Sequence, residues 1–567
     1  MVSERDESKP PVVDLERFLR IGNRTSGGSE RRQRVVSRQV EQEEEHKKNT
    51  EETAETDTQP AQEADRYYEE PRRRVKVAAD VDILVVGGGC AGIAAAVAAK
   101  KANPRLDVLL VEREEYLGGT ISRVGMESVS WWQYNDAVKS EGLVEELEVL
   151  AKGIEGATST FPYNDGLNLT AEPFKRVADI FVNKYGVRCL FGTLVCDTIL
   201  QPEPASLSSN GHGQAQAQAT APRDSRLTGV IIENVAGRQV IWSKRAIDCS
   251  GNADVLHRAG GRFTLLPDYQ RMGITQVFSV SNVDKETFLE YTERKGATYE
   301  NWGNDGVMEA SSNGDGDGVL AVDGDDVDNG WKQETYEGEA KLRTPYLERE
   351  FKEAEQKGVL PKGSNVNGSW STVTQQGELL NLNLVHLQGD ALDPWDVSRI
   401  AQRGREKVGE ALAALKTIPG CEQAQLRTYS NNLGVRDSRK CLGRYQLTGE
   451  DVLKGARFAE ESVCVLPQIV DGYGVLVLGS DGGQVEVPLA AFQCDVENLV
   501  VAGRCMSGDH VSHCLTRNIK CCMLTGQSAG VIAATSLRTG VPVGKVLSSE
   551  VRDDMERIGL RHSVAEE

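Results

Sequence analysis

An α/β fold with a central parallel sheet and an inserted α+β domain is what this chain predicts, and three observations carry the prediction. Between Asp82 and Glu112 an apolar strand, a glycine-rich turn, an alanine-rich helix and a second apolar strand follow one another as a Rossmann-like βαβ unit. From about residue 262 to 427, strand-like runs such as TQVFSVS (275–281) and ELLNLNLVHL (378–387) alternate with helical ones such as Arg399–Leu415. Ahead of both lies a stretch of 79 residues dominated by Glu, Arg, Gln, Thr and Ser. It has too few large apolar groups to offset the entropy of ordering, so a disordered extension is expected over 1–79.

The βαβ unit is the most specific signal. In DILVVGGGCAGIAAAVAAKKANPRLDVLLVE, Ile83–Val86 read as a buried strand, Ala91–Lys100 as a helix and Val108–Val111 as the next strand. The G-x-G-x-x-G spacing has a purpose at each position: Gly87 permits the tight turn, Gly89 lets the backbone approach a pyrophosphate, and Gly92 lets helix and strand pack closely. The helix N-terminus then offers unpaired N–H groups and partial positive charge to a diphosphate. Glu112, twenty residues beyond Gly92, is placed to accept from a ribose hydroxyl. The uncharged run Ile83–Ala99 is short for a membrane span and carries four glycines in strand–turn–helix order, so the nucleotide unit is the better reading.

Later segments follow in order. Residues 201–226 are low in complexity and read as a long hairpin loop between strands at 188–200 and 227–235. In the acidic segment 303–330, Asn313, Asp315, Asp317 and Gly318 imitate the start of a calcium loop. Its twelfth position is Gly324, where a bidentate Glu is required, so a solvated acidic loop is expected and no metal site. The domain plan is a dinucleotide-binding domain over 80–261, with 201–226 as its flexible loop, a substrate or cap domain over 262–427, the return of the nucleotide domain over 428–545, and a C-terminal tail over 546–567.

Four blocks carry a family resemblance. After Glu112, the residues Arg113-Glu114-Glu115-Tyr116-Leu117-Gly118-Gly119-Thr120 resemble the E-(R/K)-x-x-x-x-G-G-x loop of flavoprotein oxidoreductases. AIDCSGNADVLHRAGG (246–261) is similar to the family's I-D-A-T-G-x-x-D turn, through Asp248, Ser250, Gly251 and Asp254. LGVRDSRKCLGRYQLTGEDV (433–452) is similar to a G-V-R-E-S-R stretch, and NLVVAGRCMSGDHVSHCLTRNIKCCMLTGQSAG (498–530) to the C-terminal flavin segment. Together they resemble FAD-dependent oxidoreductases of the fumarate reductase and succinate dehydrogenase flavoprotein-like type. The resemblance implies FAD contacts at Gly87, Gly89, Cys90, Ala91, Gly92 and Glu112, then at Arg113, Gly119, Thr120 and Val195. It extends them to Ser250, Gly251, Asp254, Gly503 and Arg504, and to Gly526, Gln527 and Gly530. It lacks the family's covalent-flavin histidine at the GG-T loop, so noncovalent FAD is expected.

TGQSAGVIAA (525–534) reads as a helix start whose small residues leave room for close approach. In the resembling family such a helix aims its N-terminus at the flavin, and a small-residue helix packed on the sheet is the alternative. Catalytic candidates are His510 and His513 in GDHVSHCLTR, with Arg517, because an imidazole there can act as general acid or base near neutral pH. A structural role for either histidine is the competing reading. Arg436 and Arg439 would grip a substrate carboxylate or anchor one domain on the other. His386, in an apolar strand-like run, reads as a core histidine.

Composition narrows the rest. The 567 residues carry a net charge of −20, which argues against nucleic acid as a partner because polyanion binding needs clustered Lys and Arg. Twelve scattered cysteines without C-x-x-C, after a charged start MVSERDESKPPVVD, favour reduced thiols in the cytoplasm. Seven arginines between 17 and 38 follow several acids, which argues against a transit peptide. The vicinal pair Cys521–Cys522 is not spaced for a relay disulfide. Hydride transfer between a small-molecule substrate and FAD is the favoured function, with NAD(P)H or another electron carrier as a transient partner and no membrane. A flavin monooxygenase, or a flavoprotein subunit working with a protein partner, is the alternative.

Overall fold

The computed structural model describes residues 68, 70–127, 141–160, 167–202, 225–295, 347–364, 366–472, 475–478 and 483–564. Strand β1 (Lys76–Val86), helix α1 (Cys90–Ala102) and strand β2 (Val108–Val111) form the expected βαβ unit, with Ile83 opposite Val108 and Val86 opposite Val111 in parallel register. Arg188–Leu190 continues the sheet beyond β2, and on the other side of β1 come Gly237–Asp248, Ser225–Asn234 and Leu194–Pro202. The last three form an antiparallel meander, while Leu499–Val501 joins the far end of Gly237–Asp248 in parallel. Ile83, Leu84 and Leu110 are completely buried, as continuous apolar strands of a sheet covered on both faces must be.

Helix α1 is buried all round, and Ala94 to Ala99 have no exposed surface. Two further helices near the C-terminus complete this part: α2 (His510–Thr516) and α3 (Ile519–Thr539). The expected helix start at Thr525 is corrected here, since α3 begins at Ile519 and TGQSAG lies in its middle. Its small residues serve the packing alternative: a Cβ on Gly526 would overlap the Ala91 carbonyl oxygen, and one on Gly530 that of Ala95. The two helices therefore meet backbone to backbone.

A second sheet, ordered Val366–Ser369, Leu379–Leu387, Ile274–Ser281 and Gln425–Tyr429, is antiparallel throughout. Helix Pro394–Leu415 covers one face, where Gly404 lies against Gln276 and Leu387. It starts before the expected Arg399 because Asp393 caps it, accepting from the Trp395 N–H, and Pro394 sits in the first turn. The core beneath includes Phe278, Phe288, Phe351 and Trp370, with Phe288 and Trp370 edge to face at 5.1 Å.

Other expectations shift at their edges. The 188–200 strand is two strands, because Arg188–Leu190 pairs with β2 whereas Leu194 begins the meander. β1 starts at Lys76, inside the segment expected to be disordered. In the expected tail, helix Ser548–Arg557 is tied to α3 by Asp554, which accepts from Thr535 at 2.7 Å and Arg538 at 2.9 Å. Residues 203–224 and the acidic segment 303–330 lie outside the described residues.

Gly530→Val forces α3 away from α1, so a loss of about 1–3 kcal/mol is expected in urea unfolding. Substitution at Gly540, whose added Cβ would meet nothing within 4 Å but whose φ of +73° penalises a side chain, is expected to show only the smaller backbone effect.

Candidate functional site

The turn after β1 is built for an anion. Gly87 sits at φ +102°, where a Cβ would stand 2.5 Å from the Cys249 carbonyl oxygen, and one on Gly92 would overlap the Gly87 oxygen. Both glycines are therefore enforced by backbone contact. Gly89 differs: a Cβ there would meet only Gly119 Cα, at 3.8 Å, so its face is open. α1 has no side-chain cap and no acid in its first turn, and its first internal hydrogen bond runs from Ile93 N to Gly89 O. The N–H groups of Cys90, Ala91 and Gly92 thus precede the helical ladder. Gly118 N donates to Gly88 O at 2.9 Å, which draws the Gly118–Gly119 turn against this terminus. Glu112 is buried, accepting from Gly88 N at 2.5 Å and from Glu114 N at 3.0 Å. An ionised carboxylate has further lone pairs for ribose hydroxyls.

Arginines converge on the same region. Arg113 and Arg123 share one carboxylate, Glu114, at 3.6 and 3.8 Å. Burial pulls the Arg123 guanidinium down to about 10, and the charges of Arg113 and Arg504 push the same way. Arg504 donates to neutral oxygens, Asn252 Oδ1 at 2.7 Å and Ser438 Oγ at 3.2 Å. Among the described residues no carboxylate lies within ion-pair distance of it. A half-buried cation hydrogen-bonded only to neutral groups fits a diphosphate.

Several expected cofactor residues make bonds that hold the turn together. Ser250 donates to Asp248 Oδ1 at 2.6 Å, and Asp248, fully buried, also accepts from Val255 N and Leu256 N at 3.0 Å. Asp254 pairs with Arg439 at 3.1 Å. Gly251 packs on the Arg504 guanidinium, and Gly503 N donates to Thr525 Oγ1 at 3.1 Å. Thr120 opens a short helix, Thr120–Val124, and Val195 is buried opposite Ile232. Cys90 is buried with its thiol pushed up, chiefly by burial. Gln527 Oε1 accepts from Leu143 N at 3.2 Å, so with Gly526 and Gly530 it belongs to helix packing. All twelve cysteines, Cys521 and Cys522 included, are free.

The substrate-side candidates separate sharply. His513 is 1% exposed; its Nε2 donates to the Arg436 carbonyl at 3.0 Å, and burial pushes its pKa down to about 3. It is a neutral brace, which corrects its reading as an acid or base. His510, one turn earlier, is only half-buried; burial lowers its pKa while Asp509 and Asp437 oppose that effect. Beneath both lies a pair that sequence reading missed, Asp437 and Lys440, buried and 2.6 Å apart. Arg517 donates to the Asp471 carbonyl, with the carboxylate 3.7 Å away. Arg436 donates to Gly273 O at 2.9 Å, to Asn383 Oδ1 at 3.1 Å and to Thr275 Oγ1. Arg439 takes the anchoring alternative through Asp254. No group of three metal-ligating side chains occurs among the described residues.

The cradle, its acid and the arginines define a dinucleotide flavoprotein site, and comparison gives the family. The chain belongs to the FAD dependent oxidoreductases, whose family model matches residues 82–555. It is therefore an FAD-dependent oxidoreductase acting on a small-molecule substrate, with FAD as its cofactor. No curated protein matches. Solved structures similar to it include a geranylgeranyl bacteriochlorophyll reductase-like protein from Thermoplasma acidophilum, at 11% identity and TM-score 0.37, covering 85% of this chain and 83% of that one. The myxobacterial chondrochloren halogenase CndH shares 11% identity at TM-score 0.38, covering 85% and 79%. p-Nitrophenol 4-monooxygenase PnpA from Pseudomonas putida DLL-E4 shares 10% at 0.35, covering 85% and 90%. No helix among the described residues is long and apolar enough to cross a membrane.

Two outcomes are expected. Arg504→Met is expected to weaken FAD binding about thirtyfold or more in titration of the apoprotein, the loss that follows if this half-buried cation pairs with the diphosphate. Glu127 accepts from Ala171 N at 3.1 Å, and burial raises its pKa from 4.5 to about 7. The folded state therefore favours the protonated carboxyl, and that contribution is lost as pH rises through about 7. Glu127→Gln should accordingly raise Tm relative to the parent more at about pH 8 than at about pH 5.

Proposed function

We propose that this enzyme transfers a hydride between a small organic substrate and noncovalently bound FAD, with His510 handling the accompanying proton. The observation that carries the cofactor placement is the open, uncapped start of α1 facing Gly119, with the half-buried Arg504 nearby and no carboxylate within ion-pair distance of it among the described residues. In this reading Gly89, the first amides of α1, Arg113, Arg123 and Arg504 hold the FAD diphosphate, and Glu112 holds a ribose. When bound, FAD supplies the hydride chemistry; the chain orients it and keeps water from the reacting face.

His510 supports the proton role because it is half-buried, stands on the N-terminal turn of α2, and is balanced between Asp437, Asp509 and Lys440. Its burial-lowered pKa keeps it neutral near pH 7, able to take a proton as an alcohol or amine is oxidised. Residues 80–261 and 428–545 serve as the FAD-binding part and 262–427 as the substrate-covering part. A single dinucleotide unit supports NAD(P)H, if used, as a transient reductant sharing the flavin's open face. Twelve free thiols are in keeping with a cytoplasmic setting.

The test is a visible spectrum of the purified protein with the chromophore identified after denaturation. Stoichiometric FAD released without proteolysis is expected. Chromophore that stays with the denatured chain would overturn noncovalent binding, and reduction only in the presence of oxygen-consuming turnover would overturn hydride transfer as the net reaction. With a reducing or oxidising substrate found by anaerobic screening, His510→Gln is expected to lower kcat about a hundredfold and to remove the acidic limb of its pH profile.

A further inference from the structure

We propose that Ser438 is a positioning residue that couples FAD binding to the placement of the second sheet. On one side it holds the Arg504 guanidinium for the cofactor, and on the other it is joined within two residues to Arg436, which grips that sheet. The coupling rests on the placement of the FAD diphosphate at Arg504 proposed above, and it goes further by tying cofactor occupancy to the substrate-covering part.

Ser438 is buried where three segments meet. Its hydroxyl oxygen accepts from Arg504 Nη1 at 3.2 Å, and its single proton is directed at the turn after Asp248, with Asn252 Oδ1 at 3.0 Å and Gly251 O at 3.2 Å. Asn252 Oδ1 takes the other arm of the same guanidinium, Arg504 Nη2, at 2.7 Å. Ser438 and Asn252 thus form a two-point seat for Arg504. The seat has a close wall, since a Cβ on Gly251 would stand 2.9 Å from Nη2. The residues beside Ser438 are held as firmly. Arg439 donates to Asn252 O and Asp254 Oδ1, both at 3.1 Å, and buried Lys440 pairs with Asp437 at 2.6 Å while lying opposite Thr264 in a two-stranded ribbon. A displacement of Ser438 is therefore shared along the stretch.

The same stretch grips the second sheet. The Arg436 side chain donates to Gly273 O at 2.9 Å, to Asn383 Oδ1 at 3.1 Å and to Thr275 Oγ1, so it spans two neighbouring strands. Thr275 pairs directly with His386, and its Oγ1 lies 3.4 Å from His386 Nδ1. Gly404 of the covering helix lies against Gln276 and Leu387, which turns their neighbours Thr275 and His386 to the opposite face. Gly434 exchanges backbone hydrogen bonds with Thr275 at 3.0 and 2.8 Å, so the stretch is attached to this strand by main chain and side chain alike. His513 Nε2 donates to the Arg436 carbonyl at 3.0 Å and fixes the main chain between the two grips.

Occupancy acts through Arg504 because that cation has two environments. Beside a diphosphate its charge is neutralised and the guanidinium stays seated on Ser438 and Asn252. Without the anion it has only neutral acceptors, Arg123 repels it, and solvent competes for the charge. When Arg504 leaves, Ser438 loses the donor that orients its hydroxyl. Linkage then demands reciprocity: whatever FAD contributes to the order of the second sheet, the sheet contributes to FAD affinity.

The experiment uses the full chain, stripped of FAD and reloaded, with two readouts that need no substrate. Hydrogen exchange, followed by mass spectrometry, is compared between the apoprotein and the FAD-loaded protein. Slowing of about fivefold or more is expected at the glycine turn 87–92 and also in peptides covering 274–281 and 379–387. In Ser438→Ala the slowing at the turn remains, that at the sheet falls to about twofold or less, and FAD binds about fivefold more weakly. FAD titration reads the reverse direction. Arg436→Met, which alters the sheet-side grip, is expected to weaken FAD binding about fivefold in the parent and to have no further effect in the Ser438→Ala background. Tm of each apoprotein reports folding, and Asn383→Ala, which removes one Arg436 acceptor, takes the place of Arg436→Met should that variant not fold. Sheet exchange indifferent to FAD in the parent, a sheet response unchanged by Ser438→Ala, or additive losses in the double variant would each overturn the proposal. FAD affinity unchanged by Arg504→Met would sink the diphosphate placement and the coupling with it, whereas a large Arg504 effect alongside a sheet indifferent to FAD sinks the coupling alone.

Discussion

The cradle depends on how closely α1 can be approached from both sides. On its strand side Gly92 lets the helix close on the Gly87 carbonyl, and on its other side Gly526 and Gly530 admit α3 to the carbonyls of Ala91 and Ala95. A single added Cβ at any of the three would overlap backbone, and backbone has no rotamer by which to yield. Protein interiors pack at crystal-like density, so a shift of α1 by the width of a methyl group would carry its N-terminal amides away from Gly119. The geometry offered to the FAD diphosphate is thus set by helix packing as much as by the glycine turn itself.

A second layer of order comes from polar joints between segments distant in sequence. Arg504, Asn252 and Ser438 tie three blocks of the FAD-binding part together, and Asp437 with Lys440 forms a buried pair directly beneath α2. From the same RDSR stretch Arg436 reaches the second sheet, while Arg439 reaches Asp254. Four consecutive residues therefore connect the cofactor cradle, the helix bearing His510 and the sheet bearing His386. Buried polar groups of this kind are costly when left unpaired, which favours one relative placement of these parts over others.

The βαβ unit was legible because its information is local: strand, glycine spacing, helix and acid fall within about thirty residues. The small residues of α3 carried a true signal of close approach, but sequence does not say what approaches, and α1 proved to be the neighbour. Helix Pro394–Leu415 could have been placed by its Asp-Pro start, a signal read too late in the segment. His386 and Thr275 were beyond reach for a different reason. LLNLNLVHL is apolar enough to suggest a core histidine, and only its pairing with a strand more than a hundred residues away decides which face the ring takes. Arg436 left a choice between substrate and anchor that no local pattern separates.

The order in which the cradle's parts occur along the chain bears on how the enzyme is made. The glycine turn is synthesised early, the Asp248 turn some 160 residues later, and Leu499–Val501, Arg504 and α3 only near the end. A ribosome-bound chain therefore displays the α3-facing side of the alanine-rich α1 uncovered until synthesis is nearly complete. Such a surface calls for protection during translation, and FAD loading becomes a late event that favours the finished fold by mass action. Riboflavin supply would then set how much of the newly made enzyme survives, in addition to how much of it is active.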